Sequence, residues 1–236
     1  MEQTKKDEIL EKAKKWMLND IAKNHIKNTE KLVNLDEFNI NPFLWHYLAN
    51  YYCGDSSPKA LATVAMLPRV LGSSITTSFG TKIQSFISDV LDSFGSAIDG
   101  IDIEYTDAVD GCIKFCQLKS GPNSLNKSDV TTVKNHFDTA YRRLITNNRN
   151  VHTADFVYAM VYGDKKEYNP FVKELAETHT VICGEEFWYR LTGDQKFYFD
   201  LIKAMAEVAE EVNAKKLVED TIECLAKDIK EKKIDK

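Results

Sequence analysis

The side chains best suited to chemistry lie between Ile98 and Asn126, in IDGIDIEYTDAVDGCIKFCQLKSGPNSLN. Asp102, Glu104, Gln117 and Lys119 bring two acids, an amide and an amine into a segment that alternates with period two. Ile101, Ile103 and Tyr105 interleave with Asp102 and Glu104. Cys112, Lys114, Cys116 and Leu118 interleave with Ile113, Phe115, Gln117 and Lys119. Such alternation marks strands, whose successive side chains point to opposite faces. Asp110-Gly111 between the runs is a favoured two-residue turn with positive φ at both positions. That turn pairs Val109 with Cys112, sets Asp102 opposite Lys119 and Glu104 opposite Gln117, and gathers all four on one face. Ile101, Ile103, Tyr105, Cys112, Cys116 and Leu118 are left to pack on a core, with the polar face in water or in a cleft.

Those four groups suit a divalent metal and a phosphodiester. Hard cations take oxygen ligands, and the Asp102 carboxylate, the Gln117 amide oxygen and the main-chain carbonyl of Leu118 can supply three. A metal so held would polarise a phosphate and lower the pKa of a bound water. Lys119 would hold that water or offset the charge growing on phosphorus. Glu104, one strand step away, is either a second ligand or half of a salt bridge to Lys114 or Lys119.

An acid on one strand followed by acid-x-lysine on the next is the mark of the PD-(D/E)XK nuclease superfamily, which this chain resembles through Asp102 and Gln117-Leu118-Lys119. Gln117 stands where the pattern has Glu or Asp; a Q-x-K version occurs in branches that include Mrr-like restriction enzymes. The longer string QLKSGPNSLNKSDV, with IDGIDIEY before it, is similar to type II restriction endonucleases of the PmeCII type, as is GEEFWYRLTGD further on. The resemblance implies Mg2+-dependent, sequence-specific hydrolysis of double-stranded DNA, with Mn2+ able to substitute. It also implies a homodimer on a short palindrome, a cognate DNA methyltransferase as genetic partner, and a prokaryotic cytoplasm. In the superfamily a helix before the hairpin often brings a further Glu or Gln to the metal, and Gln84 has that place; an exposed helix amide is the other reading. A repair or modification-dependent nuclease of the same fold, and a DNA-binding protein with an attenuated site, are the alternatives.

The elements that must position these residues are legible in outline. Ile9, Ala13, Trp16, Met17, Ile21 and Ala22 predict a helix over 5–32, an outer layer or a dimer arm. Asn41-Pro42 and Ser57-Pro58 each pair a cap with a first-turn proline. They predict a helix whose aromatics, Phe43 to Tyr52, are core, and another that Pro68 kinks or ends. Gly72 to Ser78 reads as a break, followed by a helix from Phe79 whose face includes Leu91 and Phe94 and which stops at Gly95. Ser120 to Asn126 is a turn-forming loop, in which Ser120, Asn123 and Asn126 can meet DNA. Ser128 caps the next helix, whose Lys134, Arg142 and Arg143, with Lys127 before them, offer phosphate contacts. A strand buried on both faces follows at Ala154–Tyr162, then a helix from Pro170, a strand at Thr180–Cys183, a helix whose first turn holds Glu185 and Glu186, and a helical hairpin from Asp194 to Lys233.

The fold class is therefore α/β: a mixed sheet of four to five strands flanked by helices, a restriction-endonuclease-like core with helical additions. The 236 residues form a single domain, with a helical region over 1–74, the nuclease core over 75–190 and the hairpin over 191–236. Hydrophobic residues at 43% and charged residues at 28% are an ordinary globular balance. No apolar run reaches membrane-spanning length and the N-terminus is charged throughout, which predicts a cytosolic protein without a membrane partner. Five cysteines without metal spacing read as reduced core residues. A net charge of −5 argues against nonspecific coating of nucleic acid.

Overall fold

The computed structural model describes residues 1–90 and 93–232. Helices α1 (Gln3–Trp16), α2 (Lys23–Glu30), α3 (Pro42–Cys53), α4 (Pro58–Pro68) and α5 (Ile75–Val90) come before any strand. Strands β1 (Ser93–Gly95), β2 (Ile103–Thr106) and β3 (Ile113–Lys119) follow. Then come α6 (Lys127–Thr146), β4 (Phe156–Met160), α7 (Pro170–Ala176), β5 (Thr180–Cys183), α8 (Gly184–Thr192), α9 (Phe197–Val212) and α10 (Lys215–Glu231). The chain divides into two compact units, one joining Met1–Lys14 to Gly80–Ala206, the other joining Lys15–Phe79 to Glu207–Lys236.

The first unit is built on a five-stranded sheet in the order β1-β2-β3-β4-β5. β1 with β2 and β2 with β3 are antiparallel, whereas β3 with β4 and β4 with β5 are parallel. β3 thus joins the antiparallel half to the parallel half, and its C-terminal end lies on the same edge as those of β4 and β5. Every residue of β4 is buried, because helices cover both faces of the sheet. On one face Phe115, Phe156 and Tyr158 pack with Val133 and Phe137 of α6 and Leu175 of α7. On the other, Tyr105 meets Phe187 edge-on at 6.4 Å and Trp188 packs on Phe197 at 5.7 Å. The buried Trp188 indole donates to the Val161 carbonyl at 2.8 Å, so its one polar atom is satisfied. In the second unit Trp45 and Ala49 of α3, Leu61 and Met66 of α4, and Leu225 and Ile229 of α10 form the core.

The mixed sheet and the order of its elements agree with the sequence reading, and five local details do not. The face of β3 that carries Gln117 and Lys119 also carries Phe115 beneath α6, so it is a core face with a polar end. The expected break at Gly72 to Ser78 is helical. A widened π turn over Arg69–Ser74 follows Pro68, and α5 starts at Ile75; one glycine costs about 1 kcal/mol in a helix, too little to stop it. Ser93–Gly95 is a strand paired with β2, not the end of that helix; Leu91 and Lys233 lie outside the described residues. The aromatics of α3 are mostly exposed: only Trp45 and Ala49 are buried, since α4 covers one side of the helix alone. Of the five free cysteines, Cys53, Cys112 and Cys224 are exposed, and only Cys116 and Cys183 belong to the core.

Candidate active site

The hairpin that leads into the site closes earlier than its Asp110-Gly111 turn predicts. The Asp107 amide donates to the Cys112 carbonyl at 2.9 Å and the Gly111 amide to the Asp107 carbonyl at 2.8 Å, leaving residues 108–111 as the loop. Gly111 has φ 72°, and Asp110 has no positive φ. The cause is tertiary. Asp107 is buried, its carboxylate bonds the Arg190 guanidinium of α8 at 2.8 Å and also accepts the Val109 amide, and these bonds fix where β2 ends. The register is therefore Ile103 opposite Cys116 and Glu104 opposite Phe115, two residues from the expected one. A shift of two keeps every side chain on its face.

Asp102 stands just outside this ladder. Its amide donates to the Cys116 carbonyl at 2.9 Å, and Cys116 is already the partner of Ile103. Two residues of one strand thus oppose one of the next, a β-bulge, which turns a side chain away from its regular direction. The Asp102 carboxylate accepts the Leu118 amide at 2.7 Å, so it lies beside the last turn of the pleat of β3 instead of across from Lys119. Gln84, on α5, donates its side-chain amide to the Leu118 carbonyl at 3.2 Å. Burial raises the Asp102 pKa, against the lowering effects of the Leu118 amide, the Lys119 ammonium, Gln84 and His136.

Gln117 and Lys119 project from the same end of β3 and are half-buried. The Gln117 Oε1 atom is buried and has no hydrogen-bond partner. Beside it on β4, the buried Tyr158 hydroxyl is likewise without a partner, and burial pushes its pKa up to about 12. A buried polar atom without a partner is costly, and a group of them suits an ion or a water that would satisfy it. An acid and a lone amide oxygen fit a hard divalent cation. Among the described residues no three His, Cys, Asp or Glu side chains come together as a metal cluster, so a cation here would have one carboxylate and otherwise neutral oxygens.

Glu104 is held away from this group. Its carboxylate accepts the Ser96 hydroxyl at 2.6 Å. Lys114, one of its two expected partners, is on the other face, where it pairs with Asp110 and Asp155; Lys119 forms no ion pair among the described residues.

His136 is a neighbour that the sequence did not single out for the site. Its ring lies over Gly100, where an added Cβ would come within 2.3 Å of it, and its Nδ1 is buried without a partner. Gly100 also has φ 78°, so both the turn and the ring require glycine there. The only local signal was Gly100 itself, two residues before Asp102.

The polar residues expected to meet DNA are scattered around this end. Asn126 is taken up as the cap of α6, in a capping box with Asp129, where Ser128 was expected. Lys134 pairs with Glu174 at 3.5 Å. Ser120 is half-buried, whereas Asn123, Lys127, Arg142 and Arg143 are exposed. Glu185 and Glu186 occupy the first turn of α8, as read from the sequence, and Glu186 pairs with Lys165 and Arg190.

The sequence profile of the type II restriction endonuclease EcoO109I family matches residues 11–213 of the chain. The chain belongs to that family. It is a type II restriction endonuclease, a site-specific deoxyribonuclease whose substrate is DNA. No curated protein matches the chain. The match takes in the whole sheet and Gln84, Asp102, Gln117, Lys119 and His136, so the EcoO109I-family assignment covers every residue brought together here. No described helix is long and apolar enough to cross a membrane.

Proposed function

We propose that this EcoO109I-family enzyme hydrolyses phosphodiester bonds of double-stranded DNA at Asp102, Gln117 and Lys119, with Mg2+ as its cofactor and Mn2+ as a substitute. The observation that carries the reading is the buried Gln117 Oε1 without a partner, next to a carboxylate that burial has already made costly to ionise. Asp102, Gln117 Oε1 and the Leu118 carbonyl would hold the ion. Bound there, a divalent cation supplies Lewis acidity toward the phosphate and a water of lowered pKa. Asp102 is oriented for this by the Leu118 amide, and Gln84 by its bond to the Leu118 carbonyl. Lys119 holds the attacking water or offsets the charge that grows on phosphorus. The amide at Gln117 leaves the site one negative charge short of the acid-x-lysine pattern, which weakens cation affinity and makes the Asp102 charge indispensable. Glu104, tied to Ser96, has at most a supporting role.

The likeness to PmeCII-type enzymes extends the proposal to a prokaryotic cytoplasm, a GC-rich palindrome with an unspecified centre and a cognate methyltransferase that protects it. A two-fold site calls for a two-fold protein, so the active form is a homodimer. We take the 236 residues as one functional domain. Ser120, Asn123 and Lys127 follow Lys119 in sequence and are the side chains proposed to meet DNA, with Arg142 and Arg143 further along α6.

The test is digestion of unmethylated phage DNA by the purified protein with magnesium or EDTA, beside Asp102→Ala. Discrete magnesium-dependent bands that the variant loses are expected. Bands that persist in Asp102→Ala would refute the site, and intact DNA across substrates and methylation states would leave a DNA-binding protein with an attenuated centre.

A further inference from the structure

Helix α3 leaves an apolar stripe outside the core of its unit. Phe43 is 89% exposed, Tyr51 78%, Tyr52 67%, Tyr47 60%, Leu44 51% and Leu48 42%. Aromatic side chains cover roughly 150–250 Å² each, so the four rings alone leave on the order of 600 Å² uncovered, and the two leucines add to it. Patches of this size on a soluble protein mark interaction sites, and one partner of a stable complex contributes about 800 Å². Tyr47 and Tyr51 already stack at 5.9 Å, so part of the surface is held in one shape before any partner arrives.

The stripe also has a symmetry. Positions 43, 44, 47, 48, 51 and 52 read the same from either end about the midpoint of Tyr47 and Leu48. An antiparallel copy of the helix therefore lays Phe43 on Tyr52, Leu44 on Tyr51 and Tyr47 on Leu48. The helix, PFLWHYLANYYC, contains no Lys, Arg, Asp or Glu. It can meet itself without like-charge repulsion, and it lacks the cations that a nucleic-acid stacking surface needs. We propose that α3 is the interface between two copies of this chain, packed antiparallel across a two-fold axis at Tyr47 and Leu48. The choice of a second copy rests on the dimeric reading above, but mass and DNA cleavage are separate measurements, so either can fail alone.

Light scattering on the full chain at micromolar concentration is expected to give twice the 26.9 kDa of one protomer. Tyr51→Glu, at a position 78% exposed, should weaken the dimer on the order of tenfold or more while circular dichroism stays unchanged. Leu48→Cys, with the exposed Cys53, Cys112 and Cys224 replaced by serine, should link two copies through a short bis-maleimide added to the reduced protein or, in a separate sample, as a disulfide on mild oxidation. A wild-type monomer would overturn the proposal and leave the stripe to another protein. A dimer indifferent to Tyr51→Glu, with no Leu48→Cys link, would move the interface elsewhere. A Tyr51→Glu dimer that has lost DNA affinity would assign the stripe to nucleic acid.

Discussion

Asp102 carries a conflict that can be measured without DNA. An acid whose pKa is higher in the folded than in the unfolded state burdens the fold at pH values above both, and the burden disappears below the unfolded value. Burial raises Asp102 in this sense. Asp102→Asn, which keeps an oxygen to accept the Leu118 amide, should therefore melt higher than wild type at pH 7.5 in EDTA. The gap should close as the pH falls toward about 4, the ordinary aspartate range. Magnesium should raise the wild-type midpoint and leave Asp102→Asn unmoved. A variant that melts lower at neutral pH, or both proteins responding alike to magnesium, would contradict the reading. Lys119→Ala is the complementary case. It removes a charge without an ion-pair partner among the described residues, so the fold and much of the DNA affinity should remain, while single-turnover cleavage falls about 10²–10³-fold, as for other lost donors to developing charge. Cleavage at the wild-type rate would reject that role. Asp102, Gln117 and Lys119 were legible from type and alternation. His136 was not, because its relevance comes from packing over Gly100, 36 positions earlier in the chain.

The site depends on where β3 lies, and β3 is fastened by more than its ladders. Lys114 is buried and its ammonium bonds Asp155 at 2.8 Å and Asp110 at 2.7 Å. The two carboxylates raise its pKa against the lowering effect of burial. Asp155 also accepts the His152 amide, so the cluster ties the start of β3 to the start of β4. Removing Asp155 leaves the buried ammonium only the exposed Asp110 carboxylate, so the cost belongs at the low end of the roughly 3–5 kcal/mol typical of breaking a buried pair. Asp155→Ala should therefore lose about 3 kcal/mol of unfolding free energy in a urea titration, and Lys114→Met with Asp155→Leu should recover most of it. A single variant within about 0.5 kcal/mol of wild type would show the cluster to be a surface pair in effect. The sequence reading offered Lys114 as a partner for Glu104 and missed Asp155, because that partner is 41 residues away. The same limit moved the hairpin. Helix caps at Asn41 and Ser57 and the buried run of β4 were legible since the interactions that fix them are local or compositional. The end of β2 was not, since Arg190 fixes it from α8.

At the scale of the whole molecule, an enzyme that must hold DNA has a net charge of −5. A polyanion gains nothing from approaching such a protein in bulk, so attraction has to come from a few cations on one surface. Lys127 is the first of these after the site. It is exposed, free of any ion pair among the described residues, and opens α6, whose N-terminal amides favour an anion. Each phosphate that such a side chain neutralises releases counterions and contributes about 0.9 to the slope of log affinity against log salt. Lys127→Ala, measured with calcium in place of magnesium to suppress cleavage, should lower that slope by about one. It should also weaken cognate and noncognate duplexes by the same factor, because a phosphate contact carries no sequence information. Loss confined to the cognate duplex would instead make Lys127 a base reader. An unchanged slope would take it out of the interface, and Arg142 and Arg143 would have to supply the charge that the whole molecule lacks.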